Sequence, residues 1–442
     1  MTTTTTRRTG LLASMLAPGE TPGTTIISGS GAEVIVDDGQ RLLDGGTASS
    51  LLVGHCHPRV VEAVQQAAGN AYVSDGNGYR QRGQAVEDLL QLAFDDDEWA
   101  DAVLLTVSSS EAAELGLMLA QMLTGRSGLV CRERAYHGCV GYGRAVSVHP
   151  LWSASLVGAD GSVLRPPPAA ADVRTLPVPS CGVGPLGAGH DCAAGCLDDQ
   201  VASGFSGAAA VIMDYTQGAV MPSAQYQDRL AALAADAGAL WIADETVTAF
   251  GRLGRKFAFH RGTSRPDIVQ LGKGIAGAAA PGGALVLSKS VVEMIDGRRW
   301  KTSSTFRGHP ITAAAVSATQ RVIAEEGLVG NAARLGAKYA VHIQSLTARH
   351  PCVETVIGEG LFWLFQLAVA ADLAEGTWYG NAGPASLAEV VHRAAKARGV
   401  FIPIFSGQCV WVIPPLIIDD GQFERILEVL DESLSVADGL VR

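Results

Sequence analysis

The sequence lacks any apolar stretch of the roughly 20 residues that a membrane-spanning helix needs. It also lacks a basic run, and its 33 Lys and Arg against 44 Asp and Glu give a net charge of −11. We therefore expect no non-specific nucleic-acid binding, because such binding depends on clustered positive charge. The apolar segment after Arg7 and Arg8 is short and ends at Pro18. We interpret it as a tail rather than a signal peptide, and expect a cytoplasmic protein.

Cysteines are few and scattered, with eight in 442 residues, which favours free thiols over disulfides. The one Cys/His cluster lies between residues 181 and 196 and has no C-x-x-C knuckle. We favour an ordinary loop over a zinc site there, and predict no metal. His55 and His57 flank a turn, where local hydrogen bonding is the commoner role and a metal pair is the alternative.

The order of apolar runs predicts an α/β protein with a large and a smaller domain. Short runs alternate with helical periodicity up to about residue 330, which predicts a mostly parallel sheet flanked by helices. Beyond that point helix and strand signals mix, as in an α+β domain. We therefore predict an N-terminal segment (1–60) that joins the small domain, a large domain (61–330) and a C-terminal small domain (331–442). The predicted sheet strands are 102–107, 129–132, 208–213, 240–243, 268–271 and 283–287.

Two residues are candidates for the central chemistry, Asp244 and Lys273. Each follows a short apolar run that predicts a buried strand, at the edge where open α/β sheets bind ligands. An aldehyde-bearing pyridine cofactor requires this pairing, since the lysine forms the Schiff base and the carboxylate holds the ring proton. The alternative is an ordinary strand-end aspartate and a solvated lysine, which these two residues alone do not exclude.

A serine triplet, Ser108 to Ser110, separates a predicted strand from a helix that we expect to begin at Glu111. Free N–H groups and the helix dipole make such a turn suitable for an anion, and the hydroxyls point to the same spot. The alternative is that Ser110 only caps the helix. Tyr136 follows the next predicted strand, where an aromatic ring can stack on a planar ligand.

Six sequence blocks, in order, make the chain similar to one family from about residue 25 to residue 430. The blocks are GHCHP at 54–58, SSSEA at 108–112, YHG at 136–138, DETVTAFGRLG at 244–254, PDIVQLGKG at 266–274 and STFRGHP at 304–310. Together they resemble the class III, ornithine-type aminotransferases of pyridoxal 5′-phosphate (PLP) fold type I.

The resemblance implies a homodimeric PLP enzyme that moves an amino group from a small-molecule donor to a carbonyl acceptor. It implies that Lys273 forms the Schiff base and later moves protons, while Asp244 binds the pyridine nitrogen. The other implied cofactor contacts are Ser109 and Ser110 at the phosphate, Tyr136 and Val247 on the two ring faces, and Thr305 at the phosphate of the neighbouring subunit's cofactor.

The sequence departs from the family pattern on the substrate side. Trp411 stands where members that act on α-amino acids carry a carboxylate-binding arginine. Asp214 replaces a glutamate near the substrate. We therefore predict a carbonyl substrate without an α-carboxylate, such as an oxidised amino sugar in the biosynthesis of aminoglycoside antibiotics. The alternatives are that Trp411 is part of the core, or that Arg307 or Arg144 binds a carboxylate.

Other functions stay open at this point. Ser109 in place of glycine and Val247 in place of glutamine are compatible with an epimerase, a dehydratase or an aminomutase on the same scaffold. These reactions need the same Lys273 and Asp244. A non-catalytic binding protein is the third possibility, and the intact Lys273, Asp244 and Tyr136 argue against it.

Overall fold

The N-terminal strands form a small sheet of their own. The computed structural model describes residues 25–70, 72, 78–95, 98–149, 156–157, 163–165, 172–177, 197, 203–216, 220–368, 386–406 and 408–441. The first three strands are β1 (Ile26–Ser30), β2 (Glu33–Val36) and β3 (Arg41–Asp44), joined antiparallel. The DDG segment forms the turn between β2 and β3, as the sequence predicts.

A seven-stranded sheet forms the centre of the fold. Its strands are β4 (Ala100–Thr106), β5 (Gly128–Arg132), β8 (Val173–Leu176), β9 (Ala208–Asp214), β10 (Leu240–Asp244), β11 (Ile268–Leu271) and β12 (Gly283–Ser288). The spatial order is β4-β12-β11-β10-β9-β5-β8. Only β12 runs antiparallel to its neighbours within the described strands. The prediction of a mostly parallel central sheet is thereby confirmed.

One strand of this sheet was not predicted. Residues 150–200 are rich in proline, glycine and alanine and carry no periodicity, so the sequence predicts a surface excursion there. The structure places β8 from that segment at the sheet edge, parallel to β5. Two further short strands, β6 (Leu156–Val157) and β7 (Val163–Arg165), pair with each other. The cysteine and histidine cluster between 181 and 196 lies outside the described residues.

Helices flank the central sheet, and their ends follow local sequence signals. The helices up to residue 325 are α1 (Pro58–Ala68), α2 (Arg80–Asp88), α3 (Ser109–Thr124), α4 (Gly141–Ala145), α5 (Ala224–Ala237), α6 (Lys289–Ile295) and α7 (Pro310–Glu325). Pro58 and Pro310 occupy first-turn positions, where a missing N–H costs nothing. Gly125 and Gly238 end α3 and α5 with φ of 68° and 65°, a conformation that favours glycine.

The C-terminal part combines helices with a second sheet. Its elements are α8 (Leu328–Arg349), β13 (Val353–Glu359), β14 (Phe362–Leu367), α9 (Leu387–Lys396), β15 (Val400–Phe401), β16 (Ile404–Ser406), β17 (Cys409–Val412) and α10 (Asp420–Asp438). Strands β13, β14, β17 and β16 form an antiparallel sheet. Strand β15 instead pairs with β3, so the two chain ends share one sheet. The division at residues 60 and 330 stays a prediction.

A buried arginine ties the loop after β10 to the C-terminal sheet. Arg252 is fully buried and donates hydrogen bonds to the carbonyls of Leu361 (3.0 Å) and Pro414. Burial lowers the pKa of Arg252 to about 10, so the side chain stays cationic near neutral pH. Because Pro414 lies two residues after the end of β17, this contact holds the end of β17 close to the loop after β10.

The structure also shows the surroundings of the cysteines and of the two N-terminal histidines. The five described cysteines are free thiols, as predicted for them. His55 binds Asp44 (2.8 Å) and His57 binds Glu326 (3.1 Å), so the two histidines diverge as local hydrogen-bonding groups. Within the described ranges, no group of three or more metal-ligating side chains is found. No helix in that part of the chain is long and apolar enough to cross a membrane.

Candidate active site

A cavity of about 160 Å³ opens at the carboxyl ends of the central strands. Six of the predicted site residues line it, namely Ser109, Tyr136, Asp214, Asp244, Val247 and Lys273. They come from five separate chain segments, which the parallel strands deliver to one sheet edge. The prediction that Asp244 and Lys273 lie at the same edge agrees with this placement.

Asp244 is the last residue of β10, a strand buried along its whole length. Its carboxylate is held at both oxygens. Oδ1 accepts the Thr246 backbone N–H (3.0 Å), and Oδ2 lies 2.8 Å from Nδ1 of His137. An ionised carboxylate only accepts, so Nδ1 of His137 carries the proton in this contact. Each oxygen keeps a free lone pair for a further donor in the cavity.

Lys273 begins the short helical turn Lys273–Ala276 with φ of 42°, an unusual value for a residue other than glycine. Its side chain is exposed to the cavity that it lines, and the protein around the cavity desolvates its amine. Burial lowers the pKa of Lys273, and the carboxylates of Asp244 and Asp214 partly oppose that effect. A larger neutral fraction makes Lys273 a better nucleophile and base than a surface lysine.

The N-terminus of α3 lies beside Lys273. Ser108, not Ser110, caps the helix, since its side chain accepts the Glu111 backbone N–H (3.2 Å). The helix therefore begins two residues before the predicted start, and Ser109 and Ser110 lie in its first turn. A Cβ on Gly272 would come within 2.5 Å of the Ser109 Cβ, so glycine is needed for this close approach.

The two serines of the first turn differ in surroundings. Ser109 lines the cavity, whereas the Ser110 hydroxyl accepts the Cys139 backbone N–H (3.3 Å) and is not a lining group. The backbone N–H groups of this turn have no helical acceptor, and they suit an anion. Arg307 lies nearby, buried, with Nη2 3.0 Å from the Glu111 carboxylate.

Aromatic and apolar groups form other parts of the cavity wall. Tyr136 is half-buried, and burial raises the pKa of its hydroxyl, so the phenol is neutral at ordinary pH. Val247 is buried and contributes an apolar surface. Both placements suit a planar ring between them, but which face each residue covers stays a prediction.

A buried ion pair forms the wall next to Asp244. Asp214, at the end of β9, is the register partner of Asp244, and its Oδ1 accepts from Arg132 Nη2 (2.7 Å). His149 is fully buried nearby, and burial lowers its pKa to about 4, so the imidazole is neutral near pH 7. Asp214 is thus engaged within the protein, and it also faces the cavity.

Trp411 belongs to an aromatic stack rather than to the lining of the cavity. Its ring stacks on Phe405, with centroids 4.2 Å apart and planes inclined by 22°. Phe405 in turn contacts the His149 ring edge-to-face at 6.3 Å. This aromatic wall, defined by Trp411, Phe405 and His149, runs from the C-terminal sheet to the Asp214 side of the cavity.

Thr305 lies away from the cavity. It is exposed, and its neighbour Phe306 exposes 64% of its surface. Thr305 is not one of the residues that line the described cavity of its own chain. This placement leaves open the expected contact with a neighbouring subunit.

The described residues fit PLP. The cofactor needs an amine, a carboxylate for its ring nitrogen, an anion site and an apolar wall. The cavity brings Lys273, Asp244 and the start of α3 together, and Asp244 has unused lone pairs. Lys273 is the only lysine or arginine among the described lining residues.

Four lining residues were missed in the sequence analysis: His137, Thr216, Thr246 and Gln270. His137 directly follows the predicted site residue Tyr136, and Thr246 directly precedes the predicted site residue Val247. Gln270 could have been noticed in the sequence, because it is the one polar residue in the otherwise apolar strand IVQL.

Comparison with known proteins identifies one family for this chain. The aminotransferase class-III family matches residues 16–434 of this chain. The acetylornithine aminotransferase of Mycobacterium tuberculosis is 31% identical over 441 residues, covering 99% of this chain and 98% of the relative. The diaminobutyrate–2-oxoglutarate aminotransferase of Rhizobium meliloti is 27% identical and covers 90% of this chain and 85% of the relative.

A solved structure gives the same result for the fold. The crystal structure of an S-selective transaminase from Arthrobacter sp. with alanine bound matches with a TM-score of 0.85 and 27% identity. The match covers 95% of this chain and 94% of that one. The similarity carried by the six short blocks therefore extends over nearly the whole chain.

Proposed function

The chain belongs to the class III aminotransferase family, and we propose that it transaminates substrates whose reacting carbon bears no carboxylate. As a class III member with the architecture of PLP fold type I transaminases, it is a PLP-dependent transaminase. Its substrates are a small-molecule amino donor and a carbonyl acceptor. What we propose beyond this is that the reacting carbon of the substrate bears no carboxylate.

The observation that carries the proposal is the aromatic wall. At the position where the family's carboxylate-binding arginine is expected, Trp411 stacks on Phe405. A planar bidentate cation is thus replaced by an apolar plate. Arg307 pairs with Glu111 (3.0 Å), which engages its guanidinium within the protein. Like Trp411, neither Arg307 nor Arg144 lines the described cavity, so the proposal rests on the replacement of the expected arginine at position 411.

Each residue around the proposed cofactor site has a distinct role. When bound, PLP supplies an aldehyde that condenses with amines and a ring that withdraws electrons. Asp244 accepts the ring N–H, and His137 and Thr246 hold its two oxygens in place. The N–H groups of Ser109 and Ser110 bind the phosphate, and Tyr136 covers a ring face, as does Val247.

Lys273 has two roles in this account. Its Nζ would hold the cofactor through the aldehyde, and as a free amine it would move a proton at the substrate carbon. Both roles require the neutral amine. The lowered pKa of Lys273, which burial causes, raises the neutral fraction at a given pH.

The class of substrate includes several chemistries. An oxidised amino sugar of the kind found in antibiotic biosynthesis belongs to it, because an indole face can stack on a sugar ring. None of the relatives named above is an amino-sugar enzyme. We therefore include an oxidised amino sugar only as one of the acceptors to be tested. Simple amines and aldehydes are the other arm, and the Arthrobacter protein's name as an S-selective transaminase is in keeping with them.

We also propose that the active unit is a homodimer. Thr305 is exposed beside Phe306, and Tyr72 exposes 64% of its surface while its ring lies 5.7 Å from that of His309. Exposed aromatic groups near an expected inter-subunit contact are typical of a protein interface. Light scattering is expected to give twice the 45.8 kDa chain mass. A mass of a single chain with full activity would contradict this part of the proposal.

The substitution Trp411→Arg tests the carboxylate proposal. We compare kcat/KM for two amino donors, phenylalanine and 2-phenylethylamine. A guanidinium at position 411 is expected to raise the preference for phenylalanine by about 10- to 100-fold, because a hydrogen bond to a charged group stabilises a complex by about that factor. These two donors differ only in the carboxylate. Trp411→Phe, the matched control, keeps the apolar plate and is expected to leave the ratio within about threefold. An unchanged ratio in Trp411→Arg would place position 411 outside the substrate site.

A further inference from the structure

We propose that Gln270 is a positioning residue that holds the Asp244 carboxylate in the orientation that the cofactor ring requires. The inference rests on the proposed contact between Asp244 and the ring nitrogen. It concerns a residue that the sequence blocks did not single out. Its evidence is a set of hydrogen bonds among four residues that line the cavity.

Strand pairing places Gln270 directly beside Asp244. Strand β11 runs parallel to β10, and the register aligns Asp244 with Gln270. The other three residues of β11 are apolar and fully buried, and Gln270 itself is only 1% exposed. A polar side chain within such a strand loses free energy by desolvation unless it is hydrogen-bonded.

The Gln270 amide holds both residues that hold Asp244. Its Nε2 lies 3.2 Å from the His137 carbonyl oxygen and 3.3 Å from the Thr246 hydroxyl. His137 and Thr246 in turn bind Oδ2 and Oδ1 of Asp244, at 2.8 Å and 3.0 Å. The Gln270 amide thus holds the His137 carbonyl and the Thr246 hydroxyl, and the same two residues bind the carboxylate through a ring nitrogen and a backbone N–H. One amide therefore braces both residues that hold the carboxylate.

The chemistry of the acceptors fixes the orientation of the amide. A backbone carbonyl can only accept a hydrogen bond, so the nitrogen of the Gln270 amide must face His137. Oε1 then points elsewhere, is buried, and has no hydrogen-bond partner among the described residues. An apolar side chain would avoid that cost. We infer that Gln270 serves the site and not the packing of the strand.

Two substitutions remove the donor while keeping the shape. Gln270→Met conserves volume, and Gln270→Glu is isosteric but adds a negative charge beside Asp244. We expect the Kd for PLP to rise about tenfold in Gln270→Met, since two hydrogen bonds are lost, and further in Gln270→Glu. The visible circular dichroism per bound cofactor is expected to change in both variants, because the ring is held differently.

Gln227 supplies a matched control. It is a glutamine with the same 1% exposure, its Nε2 donates to the Phe259 carbonyl (2.8 Å), and it is not one of the residues that line the described cavity. Gln227→Met is expected to lower the thermal midpoint of the apoprotein and to leave the PLP Kd and the dichroism signal unchanged. The control separates the general loss of a buried amide from an effect on the site.

A double-mutant cycle tests the bracing directly. Thr246→Val removes the hydroxyl that Gln270 contacts, and its combination with Gln270→Met is expected to weaken PLP binding less than the product of the single effects. Unchanged PLP Kd and dichroism in both Gln270 variants would overturn the inference. So would loss of folding in both variants while Gln227→Met folds. If Asp244→Asn also left PLP binding unchanged, the proposed role of Asp244 would fail as well, which distinguishes the two outcomes.

Discussion

Replacing Lys273 with alanine is expected to lower kcat by at least about ten-thousand-fold and to abolish the visible absorbance band of the lysine-bound cofactor. The loss is large because the substitution removes both the attachment point and the proton-transferring base, and a positioned base alone contributes up to about that factor. PLP should still bind, held by the start of α3 and by Asp244. Absorbance spectra and single-turnover rates measure the two effects separately.

Lys289→Ala is a suitable control for this experiment. Lys289 is an exposed lysine at the start of α6, and its backbone N–H bond to the Trp99 carbonyl survives the change. We expect activity within about twofold of the wild type, as for most surface substitutions. A Lys273→Ala protein that kept the visible band would show that another amine binds the cofactor.

The depressed pKa of Lys273 gives this prediction a pH dependence. Burial favours the neutral amine, so the apoprotein should capture PLP at a pH where surface lysines are fully protonated. The sign follows from the chemistry, since the neutral amine attacks the aldehyde. Capture should slow as the pH falls through the lowered pKa, and stopped-flow absorbance measures this rate.

The substitution Asp244→Asn is expected to lower kcat/KM by about a thousandfold. The amide keeps the shape of the side chain but loses the charge that keeps the ring nitrogen protonated, and breaking a buried charge pair costs about 3–5 kcal/mol. The contact with His137 (2.8 Å) should weaken too, because an amide oxygen is a poorer acceptor than a carboxylate oxygen. Steady-state kinetics and PLP titration measure the loss.

Asp267→Asn is the matched control for Asp244. Asp267 precedes β11 at the opposite edge of the same sheet, where its Oδ2 accepts the Trp241 backbone N–H (2.8 Å). It does not line the described cavity. Its substitution is expected to change stability and not kcat/KM. Equal losses of kcat/KM in the two variants would indicate that Asp244 acts through folding alone.

The sequence predicted the central strands well because their apolar runs are short and bounded by polar residues. Residues 240–243 and 268–271 were placed to within one residue of β10 and β11. Strand β8 was missed, since VRTL is a four-residue edge strand without a buried apolar run. The start of α3 was placed two residues late because the sequence does not reveal which of three serines forms the cap.

The site was predicted in part for a similar reason. Asp244 ends β10 and Lys273 follows the end of β11 by two residues, so parallel topology alone brings them to one edge. The role of Gln270 depends on a partner distant in sequence, and that of Trp411 depends on how two neighbouring strands pair. Gln270 meets His137 across 133 positions, and the Trp411 stack with Phe405 depends on the pairing of β16 and β17. Local patterns contain no record of such contacts.

The central claim is transamination at a carbon without a carboxylate, and product accounting with wild-type enzyme tests it most directly. The PLP-loaded protein would be given 2-phenylethylamine with an aldehyde acceptor, and in parallel phenylalanine with the same acceptor. We predict one phenylacetaldehyde formed for each acceptor molecule aminated, and a higher kcat/KM for the amine than for the amino acid. Product formed without amination of the acceptor, or a preference for phenylalanine, would contradict the account.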